Sequence, residues 1–93
     1  MQSISEERKA VYTSAMARNL KMLRAKANLT QQQLGERIGI SHQTYVNAEK
    51  RGVLSWNTYL GLLYYFEKEF AQEPEILSLM DRLSVYPEEY RPK

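Results

Sequence analysis

The sequence contains no cysteine, only three prolines and four glycines, and no long apolar run. The lack of cysteine excludes disulfide bonds and thiolate metal sites. A helix that spans a membrane needs about 20 consecutive apolar residues, and no stretch of this chain approaches that length. Charged side chains at positions 6–9 also interrupt the apolar core that a signal peptide requires. We therefore expect a cytoplasmic protein with no membrane partner.

Net charge is low as well, at +2, but the charges are unevenly distributed. Residues 18–52 carry seven basic and two acidic side chains, whereas residues 53–93 carry four basic and seven acidic ones. A polyanion such as nucleic acid would therefore meet the middle of the chain and not its C-terminal part.

Motifs typical of catalysis are also missing. His42 is the lone histidine, and no metal-ligand spacing, phosphate-binding loop or paired-carboxylate motif accompanies it. A length of 93 residues is typical of one domain with a modest core. We expect a single domain over residues 1–93 that is not an enzyme and that holds no cofactor or metal.

Residues 30–51 contain two short helix signals separated by a turn. Thr30 followed by Gln33 has the spacing of a capping box, and Ser41 is suited to cap the second helix. Gly39 lies between the helices, where a left-handed residue ends a helix at little cost. The apolar positions of the two inner faces are Leu34, Ile38, Ile40, Tyr45 and Ala48. This arrangement is typical of a helix-turn-helix, and close approach of the second helix would explain a glycine inside the first, at position 35.

Three further helices are predicted, and no strand pattern competes with them. They cover residues 5–27, 55–70 and 74–84. The first begins at Ser5 or at Thr13, since both are good caps. Pro74 suits the first turn of the last helix, whereas Pro87 and Pro92 make the tail unsuited to a helix.

Apolar residues three or four positions apart on these helices predict the core. The predicted core residues are Leu20, Leu23, Leu34, Ile38, Tyr45, Trp56, Leu60 and Leu63, with Tyr59 and Phe66 on the same inward face of the fourth helix. Two further apolar surfaces remain, one with Tyr65 and Phe70 and one with Ile76, Leu79, Met80 and Leu83. Each surface either packs within the chain or contacts a second copy in a homodimer, and the sequence leaves both alternatives open.

Residues 20–66 resemble the Cro/C1-type helix-turn-helix of phage repressors and XRE-like bacterial regulators. The residues that carry the resemblance are Arg24, Leu29, Thr30, Gln31, Leu34, Gly39, Ser41 and Glu49. The resemblance implies an all-α, lambda-repressor-like fold of five helices, here with a divergent C-terminal helix. It also implies that the partner is double-stranded DNA, with the second helix of the motif in the major groove.

The base-reading positions of the family fall on His42, Gln43 and Asn47. Gln43 and Asn47 are four residues apart and therefore share a helix face, and each amide can bind adenine through N6 and N7. Contacts with the DNA backbone or groove edge are expected from Gln31, Ser41, Thr44, Lys50 and Arg51. In the family the glutamine at position 31 contacts a phosphate, which agrees with its place at a helix N-terminus.

Arg24 and Glu49 fall at family positions where an ion pair joins the first helix to the recognition helix. The sequence departs from the family at Tyr45, where isoleucine or valine is usual, and at Ala48, where a larger apolar residue is usual. The tyrosine ring can fill the space that Ala48 leaves, but its hydroxyl then needs a hydrogen-bond partner.

These features favour a sequence-specific transcriptional regulator, specifically a repressor that binds a near-palindromic operator as a homodimer. Two half-sites one helical turn apart add affinity and specificity that one small motif lacks. The alternative is a protein-interaction module, such as an antitoxin or a mobile-element accessory protein, whose partner contacts the aromatic and acidic C-terminal part.

Overall fold

The computed structural model describes residues 4–87, which form five α-helices and no strand. In chain order the helices are α1 (Glu6–Lys26), α2 (Gln31–Ile38), α3 (His42–Arg51), α4 (Trp56–Glu69) and α5 (Pro74–Arg82). The all-α, five-helix prediction is confirmed. The prediction for Pro92 and the rest of the tail from position 88 lies outside the described residues.

Helix α1 begins at the earlier of its two predicted caps. The Ser5 hydroxyl accepts a hydrogen bond from the Arg8 backbone N–H at 3.2 Å. Thr13 lies inside the helix, and its hydroxyl donates to the Ala10 carbonyl oxygen at 3.3 Å. Asn28, with φ of 60°, follows the helix in the left-handed conformation that asparagine tolerates better than most residues. The long helix therefore leads directly into the helix-turn-helix.

Local capping defines α2 and α3 as the sequence predicted. Thr30 and Gln33 form both hydrogen bonds of the capping box, and the Ser41 hydroxyl accepts from the Thr44 backbone N–H. Gly39 ends α2 with φ of 76°, a left-handed conformation that glycine adopts without a Cβ penalty.

Gly35 lies where α2 packs against α3. A Cβ at this position would lie 3.4 Å from the Ile40 carbonyl oxygen and 3.5 Å from Tyr45 Cβ. Both distances are those of ordinary van der Waals contact, so the reason for a glycine inside α2 stays a prediction.

The core lies between α1, the helix-turn-helix and α4. Of the predicted core residues, Leu20, Leu23, Leu34, Tyr45, Tyr59, Leu63 and Phe66 are buried. Ile38, Trp56 and Leu60 are only half-buried and pack against the edge of this cluster, so their prediction as core residues was wrong in degree. The core also includes Met16, Leu62 and Val85.

The segment from Phe70 to Pro87 folds back onto the other helices and closes the core. Phe70 stacks on Phe66 with ring centroids 5.7 Å apart, and Met80 on α5 is fully buried. The Tyr59 hydroxyl donates to the Val85 carbonyl oxygen, which ties α4 to the chain after α5.

This closure corrects two positions of the expected dimer surface. Phe70 is 1% exposed and Met80 is 0% exposed, so neither side chain has surface to offer a second copy. Met80 is buried because α5 is too short to be stable alone and packs its apolar stripe onto its own chain, and Phe70 is buried because it stacks on Phe66 at the end of α4. Tyr65, Ile76, Leu79 and Leu83 are half-buried and stay candidates for contact with a second copy.

Candidate DNA interface

The outer face of α3 presents the three predicted base-reading side chains. His42 and Gln43 are exposed in the first turn, and Asn47 is half-buried one turn later. Gln43 Nε2 donates to Asn47 Oδ1 at 3.2 Å, so the two amides lie side by side. Asn47 Nδ2 and Gln43 Oε1 have no partner within the described residues and remain available to a ligand. The pair therefore offers one donor group and one acceptor, the two kinds of group that base edges in the major groove bind.

Ser41 and Thr44 lie at the start of α3, and both are exposed. The Ser41 hydroxyl accepts from the Thr44 backbone N–H at 3.1 Å and donates to Thr44 Oγ1 at 2.8 Å. Ser41 is thus committed to capping the helix. The hydroxyl proton of Thr44 remains free to point outward, so Thr44 is the better placed of the two to donate to a phosphate.

Lys50 and Arg51 are exposed in the last turn of α3, and neither forms an ion pair within residues 4–87. Their positive charges complement the negative end of the helix dipole. Both side chains can reach a polyanion without first breaking a contact in the protein. This is the arrangement expected of residues that contact phosphates and carry no sequence information.

Glu49, on the inner side of α3, joins the recognition helix to α1. Arg24 Nε donates to Glu49 Oε2 at 2.7 Å and Arg24 Nη2 donates to Glu49 Oε1 at 3.4 Å. The remaining terminal nitrogen of Arg24 donates to the Leu29 carbonyl oxygen at 3.0 Å. Only 17% of the Arg24 side chain and 10% of the Glu49 side chain are exposed, so solvent screens this pair less than a surface pair.

Two more donors reach the same carboxylate. The Tyr45 hydroxyl, at the tip of a fully buried side chain, donates to Glu49 Oε2. Gln31 Nε2, at the start of α2, donates to Glu49 Oε1 at 3.0 Å. Tyr45 therefore has the partner that its burial required. The side-chain nitrogen of Gln31 binds Glu49 in the free protein, and its contact with a phosphate stays a prediction.

The pKa values follow from this geometry. Burial by itself raises the pKa of Glu49, but hydrogen bonds from Arg24, Tyr45 and Gln31 outweigh burial and hold the pKa below its ordinary value. The hydrogen bond to Glu49 raises the pKa of Arg24. Burial, followed by the bond to Glu49, raises the pKa of Tyr45. At neutral pH the cluster therefore holds one ionised carboxylate, one guanidinium and a neutral phenol.

Sequence reasoning missed that Gln31 and Tyr45 bind Glu49. Tyr45 and Glu49 are four residues apart on one helix, a spacing that brings side chains together and could have indicated their bond. Nothing in the sequence indicates the contact of Gln31 with Glu49, because it depends on the angle between α2 and α3.

Other kinds of site find no support in the part of the chain that the structure describes. No group of histidine, aspartate or glutamate side chains between residues 4 and 87 is arranged to hold a metal ion. Among the five described helices, none is both long and apolar enough to cross a membrane.

Comparison with known proteins gives one match. Residues 20–52 match the family described as Helix-turn-helix. No curated protein and no solved structure matches the chain. The matched segment runs from the second half of α1 to the end of α3 and includes both Arg24 and Glu49. Residues 20–52 therefore belong to the Cro/C1-type (XRE) helix-turn-helix family of DNA-binding regulators.

Proposed function

We propose that this protein is a sequence-specific transcriptional repressor that binds a near-palindromic operator as a homodimer. The observation that carries the proposal is the outer face of α3. It presents Gln43 and Asn47 to solvent, while Glu49 on the same helix is bonded to α1 and α2. Such a regulator works where the DNA is, which for bacterial members of this family is the cytoplasm.

In the proposed complex the outer face of α3 enters the major groove. Gln43 and Asn47 read adenines, and His42 donates to guanine or to a phosphate. Gln31, Thr44, Lys50 and Arg51 contact the backbone at the groove edges, with Ser41 fixing the start of the helix. The basic residues account for affinity that all sequences share, whereas the amides account for preference among sequences.

The test is selection of bound duplexes from a random DNA pool, followed by variants on the best sequence. We expect a palindromic consensus. Gln43→Ala or Asn47→Ala should cost about 1–3 kcal/mol of binding free energy and relax preference at one base pair per half-site. Lys50→Ala or Arg51→Ala should weaken all duplexes alike and flatten the salt dependence. Full sequence preference in both amide variants would show that the reading face is misplaced.

The homodimer part of the proposal is based on the apolar surface that the monomer leaves uncovered. Leu79 is half-buried, and unlike Ile76 and Leu83 it does not pack against the core cluster. In a two-fold interface each copy contributes the same patch, so one substitution acts twice. Leu79→Asp should weaken dimerisation in sedimentation more than the control Lys21→Asp, with unchanged helicity. If Leu79→Asp stays dimeric, α5 is not the interface.

A protein-interaction module, such as an antitoxin or mobile-element accessory protein, is the second candidate. The observation in its favour is Tyr64 on α4, which is 66% exposed although it is a large aromatic residue. The acidic balance of residues 53–93 also suits a basic protein partner better than DNA. If selection from the random pool yields no consensus sequence, this second function is favoured over the first.

A further inference from the structure

The carboxylate of Glu49 is the point where three helices meet. Oε2 accepts from Arg24 of α1 at 2.7 Å and from the Tyr45 hydroxyl of α3. Oε1 accepts from Gln31 of α2 at 3.0 Å and from Arg24 at 3.4 Å. Each oxygen therefore has two donors, and the four bonds come from three side chains on three helices. A carboxylate held in this way has one orientation, because rotation would break several bonds together.

The ion pair alone does not impose that restraint. Its two hydrogen bonds join Glu49 to Arg24 of α1 and do not involve α2. Tyr45 lies on α3 together with Glu49, and its ring is 0% exposed in the core, so its hydroxyl bond to Oε2 holds the Glu49 side chain in the conformation that faces α1 and α2. Gln31 lies at the first position of α2. Its bond to Glu49 Oε1 therefore links α2 to α3 directly and forms only at one range of angles between the two helices.

We propose that Tyr45 and Gln31 are positioning residues for the recognition helix. They fix the carboxylate of Glu49 and, through it, the angle at which α3 presents Gln43 and Asn47. This inference rests on the proposed function, since only a DNA-reading helix needs that angle. Under this inference Gln31 acts through Glu49, in addition to the phosphate contact proposed for it. The Tyr45 hydroxyl has a role in orienting Glu49, whereas its ring packs in the core.

The central experiment removes the Tyr45 hydroxyl and keeps the ring. For Tyr45→Phe we expect the ratio of affinities for the selected operator and a scrambled duplex to fall about three- to tenfold, the scale of one ordinary hydrogen bond. The salt dependence of DNA binding should be unchanged, because the buried Tyr45 side chain is not placed to contact a phosphate. Tyr59→Phe is the matched control: it also loses a buried hydroxyl bond, here to the Val85 carbonyl oxygen, but it lies outside the Glu49 cluster and should keep the wild-type ratio.

A second variant, Gln31→Met, keeps the length of the side chain and removes its donor. If Gln31 positions α3, this variant should lower the same affinity ratio and should have no further effect in a Glu49→Met background, where the acceptor of Gln31 is absent. If Gln31 only contacts a phosphate, affinity for both duplexes should fall equally, and the inference is overturned for Gln31.

A measurement without DNA completes the test. In Tyr45→Phe the pKa of the Glu49 carboxyl, followed by carbon NMR, should rise because the carboxylate loses a donor. An unchanged pKa together with an unchanged affinity ratio overturns the role of Tyr45. If wild-type protein itself shows no preference for any duplex, the proposed function fails and the inference fails with it. A preference in wild type that both variants retain overturns the inference alone.

Discussion

The helix-turn-helix and the C-terminal segment of this protein share one apolar core, but the helix-turn-helix adds a polar cluster that the C-terminal segment lacks among its described residues. Residues 20–52 contain a largely buried polar cluster, in which the Glu49 carboxylate binds side chains of three helices. Residues 53–87 form no comparable cluster among their described side chains and pack Tyr59, Phe66 and Phe70 into an apolar core. Hydrogen bonds are directional and fix angles, whereas apolar burial is non-directional and contributes bulk stability. In the proposed function, the cluster lies where the angle of α3 matters.

The largest effect should come from the apolar part. Phe66 is fully buried against Phe70, so Phe66→Ala should lower the free energy of unfolding by about 3–5 kcal/mol. Urea denaturation measures this loss. The control is Tyr64→Ala on the exposed side of the same helix, which should change the free energy of unfolding by less than about 0.5 kcal/mol. A small loss for Phe66→Ala would show that the C-terminal segment contributes little to the fold.

Leu34→Ala in the helix-turn-helix should cost about 2–5 kcal/mol by the same mechanism, because Leu34 is also fully buried. The two regions share one core, so urea unfolding of each variant should remain a single transition when followed by fluorescence and by circular dichroism. Two separate transitions would contradict the view that the polar cluster and the aromatic core belong to one cooperative unit.

A smaller effect is expected in the polar cluster. Arg24→Met keeps the apolar stem and removes the ion pair, and at pH 7 it should lower the free energy of unfolding by about 1–3 kcal/mol. Since the pKa of Glu49 is below its ordinary value in the folded state, its stabilising contribution is present above the unfolded pKa of about 4.3. That contribution is lost as pH falls through the lower folded pKa.

The difference between wild type and Arg24→Met should therefore be largest near neutral pH and should shrink as the pH approaches about 3. Urea midpoints of both proteins at several pH values measure this difference. Lys21→Met, which also removes one positive charge from the exposed side of α1, serves as the control for net charge. A constant difference across the pH range would show that Glu49 does not depend on Arg24 for its ionisation.

The smallest effect concerns the two glycines inside helices. At Gly61 in α4 a Cβ would lie 3.9 Å from Ile38 Cβ, an ordinary contact, beside an open cleft of about 520 Å³. Gly61→Ala should therefore gain up to about 1 kcal/mol from helix propensity. Gly35→Ala should gain less, because its Cβ would lie closer to its neighbours, 3.4 Å from the Ile40 carbonyl oxygen and 3.5 Å from Tyr45 Cβ. Thermal unfolding of the two variants compares their stabilities. An equal gain in stability from both substitutions would contradict the close approach of α2 and α3.

Most elements of the fold were predictable because their signals are local. Ser5, Thr30, Ser41 and Ser55 each accept a backbone N–H three residues later, and that spacing can be read directly from the chain. Burial was harder to predict. Trp56 shares the inward face of α4 but lies at the edge of the core, half-buried beside Lys9 of α1. Helix periodicity gives the direction of a side chain, but not how far the neighbouring helices cover it.

By itself the sequence determined the five helices, the turn at Gly39 and the outward direction of His42, Gln43 and Asn47, because capping and periodicity act within a few residues. Only the tertiary structure decided that Phe70 and Met80 close the core of their own chain. It also decided that Gln31 and Tyr45 join Arg24 at Glu49. These contacts link residues on different helices, and they depend on interhelical angles that the whole core sets at once.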